Sequence, residues 1–526
     1  MALVDNPILP GCHPDPSVCR VGDDYYLVTS TFEYFPGLPV FHSRDLAHWE
    51  RIGAVVDRGG QLDLDGLSSS SGLYAPTLRE RDGVFWVVCT VVDLETDGPS
   101  VNFVATACDP AGPWSQPTRL DVDGVDPSLL FDDDGRVWAH GMRIPGEPLW
   151  PEQTEIWLRE FDPDSLALVG PEHVIWRGAL AGATWAEGPH LYKVDGRYHL
   201  LAAEAGTHFF HAEAAARADV VTGPYVGYEG NPVLTHRHLG RRADVTGVGH
   251  ADLVQGPDGS WWAFHLGMRP YGGHHHNLGR ETFLTPVEWQ EGWPVFSPGV
   301  GRVPERLEIP YLMGDPPTHE RRGPVPPHDL RWTSLRGPAS AFVTAHGEGW
   351  ELRPSEATLE DQTTPAFVGV RQEHRDLDVR MRFRPGLQPG EEAGLVARQS
   401  EADHVRLFVH PSTAGDGLMA TAVHRIAGAN QTLGSAPVGV DADGFAELAL
   451  VIRGQDYGLV AGAPDGATTV GVADGRLLDS VSAGGFLGVW LGLYATSNHA
   501  PTTSSVIVDH FTYDSHPVLA SEGADR

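Results

Sequence analysis

Cysteine is scarce in this chain: four residues in 526 (Cys12, Cys19, Cys89, Cys108), none in a C-x-x-C spacing. That excludes a disulfide frame and the common cysteine metal motifs, and it reads as reduced, mostly buried thiols. Basic residues are few, 37 Lys and Arg against 70 Asp and Glu, for a formal net charge of −33. A nucleic-acid partner needs a basic patch or stripe, so that class is excluded and a neutral or cationic small substrate suits the chain better. Long apolar runs are missing too. The start, Met1-Ala2-Leu3-Val4-Asp5-Asn6-Pro7, has neither the basic head nor the apolar stretch of a signal peptide, and no transmembrane stretch follows. The expectation is a cytoplasmic protein with no membrane partner. Long helical periodicities are few, whereas 62 Gly, 42 Pro and 9% aromatics point to an all-β protein rich in turns.

What the chain does have is repetition. A short apolar run followed by an Asp-Gly or Asp-Asp pair recurs five times, and a count of eight links Asp15 to Asp23, Tyr74 to Asp82, Asp126 to Asp134, Glu187 to Asp195 and His250 to Asp258. Asp-Gly between apolar runs marks a hairpin, because a type I′ turn needs positive φ at both central residues. The units begin 59, 52, 61 and 63 residues apart, room for four strands each. That spacing predicts a five-bladed β-propeller over residues 1–300. In such a fold the first strand of each blade lines the central channel, so Asp15, Tyr74, Asp126, Glu187 and His250 are expected to converge. Residues 301–327, dense in Pro and charge, read as a linker. Period-2 alternation, as in Leu377-Asp378-Val379-Arg380-Met381-Arg382-Phe383, predicts a β-sandwich of jelly-roll or concanavalin-like type over 328–516. Residues 517–526 read as a disordered tail.

Carboxylates are rarely buried unless paired or functional, so three of them at one channel mouth suggest chemistry. Two carboxylates across a sugar-sized pocket can hydrolyse a glycosidic bond, one protonating the leaving oxygen and the other activating water or attacking the anomeric carbon. A third negative charge nearby would raise the pKa of the acid.

Ordered motifs sharpen this reading. Asn6-Pro7-Ile8-Leu9-Pro10-Gly11-Cys12-His13-Pro14-Asp15-Pro16-Ser17, Ser30-Thr31-Phe32-Glu33-Tyr34-Phe35-Pro36-Gly37, Gly124-Val125-Asp126-Pro127-Ser128, Ala186-Glu187-Gly188-Pro189, Gly249-His250-Ala251-Asp252 and Asn277-Leu278-Gly279-Arg280-Glu281-Thr282-Phe283 occur in that order. The chain thereby resembles the β-xylosidases of glycoside hydrolase family 43 over nearly its whole length. The resemblance implies inverting hydrolysis, with Asp15 as general base, Glu187 as general acid and Asp126 raising and orienting that acid. It implies that Arg280 grips sugar hydroxyls and that Phe32 and Tyr74 wall the pocket, although relatives often carry Trp where Tyr74 stands. Thr207 matches a segment near the pocket, and Trp490, in Gly485-Phe486-Leu487-Gly488-Val489-Trp490, is expected to close its end and make the enzyme exo-acting.

No cofactor is needed for this chemistry, although some relatives hold calcium or another divalent ion where His250 stands. The run His274-His275-His276 lacks H-E-x-x-H spacing and reads as a loop near the pocket rim. The expected activity is that of an exo-1,4-β-xylosidase on short xylo-oligosaccharides. The alternatives are an α-L-arabinofuranosidase, an enzyme with both activities, and a non-catalytic sugar-binding propeller. A homo-oligomer is compatible with the sequence, which does not fix the oligomeric state.

Overall fold

A computed structural model describes residues 3–96, 100–412, 417–462 and 466–517. Apart from Pro517, the expected tail 517–526 lies outside the described residues. The protein is all-β, and the helical elements among the described residues are short 3₁₀ turns such as Arg237–Leu239. None is long and apolar enough to cross a membrane. Contacts divide the chain into two units, 1–270 with 280–317, and 271–279 with 318–526.

Among the described residues, the first unit holds five antiparallel sheets of four or five strands in chain order. Each opens with a hairpin: Ser17–Val21 with Asp24–Val28, Thr77–Arg81 with Val84–Val92, Val125–Phe131 with Val137–Arg143, Glu187–Val194 with Arg197–Glu204, and Thr246–Gln255 with Trp261–Met268. The turns Asp82-Gly83 and Asp195-Gly196 have positive φ at both residues, as a type I′ hairpin requires.

Strand Val84–Val92 shows why these sheets stack face to face. Trp86 and Val88 enter one apolar cluster with the third sheet, whereas Phe85, Val87 and Cys89 enter another with the first. A strand covered on both faces cannot alternate with polar residues, hence the apolar run Val84–Cys89. Equivalent clusters join the third sheet to the fourth and the fourth to the fifth. A further cluster joins the fifth to the first, with Trp262, Phe264 and Leu284 packed on Val18, Tyr25, Leu27 and Phe41. Each such side chain contributes about 1.5–3 kcal/mol on burial.

The pairing registers correct the eight-residue count. Ser17, Thr77, Ser128, His190 and Asp252 occupy equivalent rungs, facing Val28, Val88, His140, Leu201 and Phe264. Two residues upstream lie Asp15, Ala75, Asp126, Gly188 and His250. Tyr74 and Glu187 therefore stand one residue before the register of Asp15. The first turn is Gly22-Asp23 rather than Asp23-Asp24, and the third and fifth hairpins close through longer loops, 132–136 and 256–260, which hides the offset in a simple count.

At these rungs a polar knot takes one or two residues from each sheet. Asp252 is fully buried and accepts from Ser17 Oγ (2.7 Å), Val18 N (3.0 Å), Tyr192 Oη (2.6 Å) and both terminal nitrogens of Arg79 (2.8 and 3.2 Å). Arg79 also lies 3.0 Å from His190 Nδ1, which is 3.1 Å from Ser128 Oγ.

Residues 301–317, expected as linker, belong by contact to the first unit. Arg306–Glu308 pairs with Leu3–Asp5, and the buried side chains Leu307 and Ile309 join Val4 in one cluster. Those apolar residues, spaced among Pro and charge, are what hold the segment down.

The second unit contains a seven-stranded and a six-stranded antiparallel sheet. Alternate residues such as Leu377, Val379, Met381 and Phe383 of the first meet Leu395, Leu407, Leu491 and Leu493 of the second in a single core. Tyr271–Gly279, which includes the histidine run, belongs to this unit by its contacts. His275 Nδ1 lies 3.2 Å from Asp479 and the amide of His276 donates to the same carboxylate at 2.9 Å, so these histidines serve a loop contact.

Candidate active site

Asp15, Asp126 and His250 are buried at equivalent positions of three sheets, each with φ between 54 and 57°. In the fourth sheet Gly188 takes that place with φ 55°, and a Cβ there would lie 2.8 Å from Nε2 of His250. Only glycine satisfies both demands. Glu187, one residue earlier, keeps part of its surface exposed, while its carboxyl lies deep enough for burial to act on it.

Four groups surround the Asp15 carboxylate. Ser30 Oγ donates to Oδ2 at 2.5 Å, Arg280 Nη1 donates to Oδ1 at 3.1 Å, His250 Nδ1 stands 3.6 Å from Oδ1, and His211 acts on it electrostatically. Burial alone would push the pKa of Asp15 up. Arg280, His250, the Ser30 hydrogen bond and His211 outweigh it and hold the carboxyl below its ordinary value. Arg280 is paired with Asp15 rather than with its neighbour Glu281, which is taken by Arg269 at 2.6 and 2.7 Å. The same Nη1 donates to Thr207 Oγ1 at 3.2 Å, and the guanidinium carbon lies 5.5 Å from the centre of the Phe32 ring. Phe32 meets Tyr74 edge to face at 5.4 Å. Asp15, Arg280, Thr207, Phe32 and Tyr74 are thus brought together.

The other two carboxyls move the opposite way. Burial raises the pKa of Glu187 well above its ordinary value, and the charges of Asp126 and Asp15 raise it further, with Arg280 opposing. Asp126 is raised chiefly by burial, while its Oδ2 accepts the Gly188 amide at 3.0 Å and so touches the peptide that follows Glu187. The cluster therefore holds one carboxyl toward its ionised form, Asp15, and another toward its protonated form, Glu187.

Trp490 lies in the second unit, buried at the start of strand Trp490–Thr496 with the Arg371 guanidinium 5.3 Å from its ring centre. Among the described residues, no group of three or more His, Cys, Asp or Glu gathers as a metal ligand set.

Sequence reasoning missed Ser30, His211 and Glu213. Ser30 lay in a recognised motif, but its bond to Asp15 needs the fold. Glu213 is fully buried and accepts from the Ala251 amide at 3.0 Å, behind His250.

An all-β chain that gathers carboxyls whose surroundings push their pKa values in opposite directions, beside an arginine and aromatic rings, has the equipment of a glycoside hydrolase. Residues 4–294 match Glycosyl hydrolases family 43, and residues 326–514 match the Beta xylosidase C-terminal Concanavalin A-like domain. A xylosidase/arabinosidase from Butyrivibrio fibrisolvens is 37% identical over 98% of this chain and 100% of its own length. A non-reducing end α-L-arabinofuranosidase from Bacteroides ovatus is 37% identical over 97% of this chain and 94% of its own. The crystal structure of a xylan β-1,4-xylosidase from Bacillus halodurans superposes with a TM-score of 0.89 at 32% identity, covering 97% of this chain and 100% of that one. The chain belongs to glycosyl hydrolases family 43.

Proposed function

We propose that the protein is an exo-acting β-xylosidase that releases xylose from the non-reducing end of short xylo-oligosaccharides with inversion at the anomeric carbon. The first unit is read as a five-bladed β-propeller, supported by the apolar cluster that joins the fifth sheet to the first. What carries the activity is the opposed pull on two carboxyls in one cluster, Asp15 paired with Arg280 and Ser30 and drawn down, Glu187 drawn up by burial, Asp126 and Asp15. Asp15 takes a proton from water as that water attacks the anomeric carbon. Glu187 gives its proton to the glycosidic oxygen as the bond breaks. Asp126 keeps Glu187 protonated and, through the Gly188 amide, fixes its backbone. Arg280 and Thr207 hold sugar hydroxyls against the Phe32 and Tyr74 rings.

A second activity, release of α-L-arabinofuranose, is favoured by relatives whose names carry arabinosidase or arabinofuranosidase. Xylobiose cleavage followed by NMR, beside nitrophenyl arabinofuranoside and with or without chelator, tests these points together. Release of α-xylose first is expected; β-xylose first overturns the inverting mechanism. A chelator-sensitive rate would point to an ion near His250.

A further inference from the structure

One step after the equivalent positions Asp15, Ala75, Asp126, Gly188 and His250, four sheets carry proline, Pro16, Pro76, Pro127 and Pro189, and the fifth carries Ala251. Proline fixes its own φ near about −65° and has no N–H, so it stiffens the chain there without needing an acceptor. Ala251 does neither. It has no exposed surface, and its amide must be satisfied inside the protein.

The ladder of the fifth sheet is interrupted at this point. Strand Thr246–Gln255 pairs with Trp261–Met268 at Gly249 with Leu266 and again at Asp252 with Phe264, so His250 and Ala251 share a bulge. The acceptor comes from the neighbouring sheet. Glu213 lies in Ala212–Ala218, the third strand of the fourth sheet, a single carboxyl in the run Ala212-Glu213-Ala214-Ala215-Ala216. Pairing with Ala203 on one side and Leu234 on the other fixes its backbone. Glu213 has no exposed surface, its Oε2 accepts the Ala251 amide at 3.0 Å, and the His250 amide adds a smaller contribution to the same carboxyl.

His250 is aimed from this bulge. Its Nδ1 stands 3.6 Å from Asp15 Oδ1, and its ring fills the space in which a Cβ on Gly188 would lie 2.8 Å from Nε2. A turn of the His250 backbone would carry the imidazole away from Asp15 or into Gly188.

From this arrangement we infer that Glu213 is a positioning residue for the reaction: it does for the fifth sheet what proline does for the other four, and through the amides of Ala251 and His250 it holds the His250 imidazole against Asp15. The inference rests on the role of base given to Asp15 above.

The test follows kcat and KM on xylobiose, with circular dichroism and melting temperature beside them. Glu213→Val suits a strand and removes the acceptor, and a fall of about tenfold in kcat is expected with KM changed less than about twofold. Glu213→Gln keeps a carbonyl oxygen for the amides, and its kcat should stay within about twofold of wild type. Adding Ala251→Pro to Glu213→Val installs the proline of the other sheets and removes the stranded donor, and kcat should return to within about threefold of wild type. Adding His250→Asn, which tolerates the left-handed bend, to Glu213→Val should give an enzyme no slower than His250→Asn alone, because the two residues act as a unit. An unchanged kcat in Glu213→Val, a Glu213→Gln variant as slow as Glu213→Val, full additivity with His250→Asn, or an Ala251→Pro rescue of melting temperature without kcat overturns the inference. If Glu213→Val does not fold, Glu213→Asp, which draws the carboxyl back from the amides, is compared with Glu213→Gln, and equal kcat in the two overturns it. A wild-type protein inactive on xylobiose and on an arabinofuranoside overturns the reading of the site, whereas an active wild type with equal kcat in all Glu213 variants overturns this inference alone.

Discussion

Replacing Arg79 by Met cuts the polar knot at its guanidinium while keeping a side chain of similar length. Asp252 would be left with no exposed side-chain surface and with three neutral donors, Ser17, Tyr192 and the Val18 amide. Removing one partner of a buried ion pair costs about 3–5 kcal/mol, because the remaining charge has lost its compensation. At about 2–4 °C per kcal/mol for a large domain, the expected fall in melting temperature is roughly 6–20 °C. His190 gives this prediction a pH signature. Burial first, then the Arg79 charge, pulls its pKa down to about 3 against the opposing pull of Asp252. Without Arg79 that pKa rises, and a protonated His190, 3.9 Å from Asp252, partly replaces the lost cation. The stability deficit should therefore shrink as pH falls from 8 to 5. Adding Asp252→Asn to Arg79→Met removes the stranded charge, so the double variant should melt above Arg79→Met with a coupling of about 1–3 kcal/mol. Scanning calorimetry at several pH values reads all of this. An Arg79→Met transition within 2 °C of wild type, or strict additivity in the double variant, would refute the account of the knot.

Asp15→Asn keeps the side chain's shape but removes the base, and a loss of about 10²–10⁴-fold in kcat on xylobiose is expected, with circular dichroism checking that the fold is kept. Asp126→Asn withdraws one of the charges that raise Glu187, so the alkaline limb of the kcat/KM profile should move to lower pH; a limb that stays put contradicts Asp126's role. In Arg280→Met the carboxyl of Asp15 loses the foremost of the groups that lower its pKa, and the acid limb should move to higher pH in the same assay. Burial raises Glu213, so its contribution to stability is present at low pH and lost as pH rises through its folded pKa. Glu213→Gln should accordingly gain melting temperature on wild type as pH rises above the ordinary carboxylate range, and a pH-independent difference would count against a titrating Glu213.

Much of the fold was legible because hairpin chemistry is local. Asp82-Gly83 and Asp195-Gly196 announce their turns whatever surrounds them. Register was less legible, since Gly22-Asp23 and Asp23-Asp24 are both acceptable turns and only strand pairing separates them. Asp15, Asp126 and Glu187 were visible through their motifs, but the pairing of Arg280 with Asp15 spans 265 residues and that of Arg79 with Asp252 spans 173. No local signal reports such contacts. The segment 301–317 misled for the converse reason: its Pro and charge dominate composition, while a few buried apolar side chains decide where it goes.

The left-handed bend shared by Asp15, Asp126, Gly188 and His250 acts as a socket of constant shape that accepts interchangeable inserts. Four of the five equivalent positions keep this backbone while their side chains differ, so the identity of the insert varies without remodelling the sheet. One copy holds an anion, another a carboxyl near a proton donor, a third an imidazole, and the fourth is left empty to make room for that ring. A shape suited to Asp, Asn, His and Gly limits which inserts are tolerated, since a left-handed residue with a branched side chain is strained. Repetition of one turn thus supplies a small set of aimed positions, and specialisation at this site consists of filling each differently.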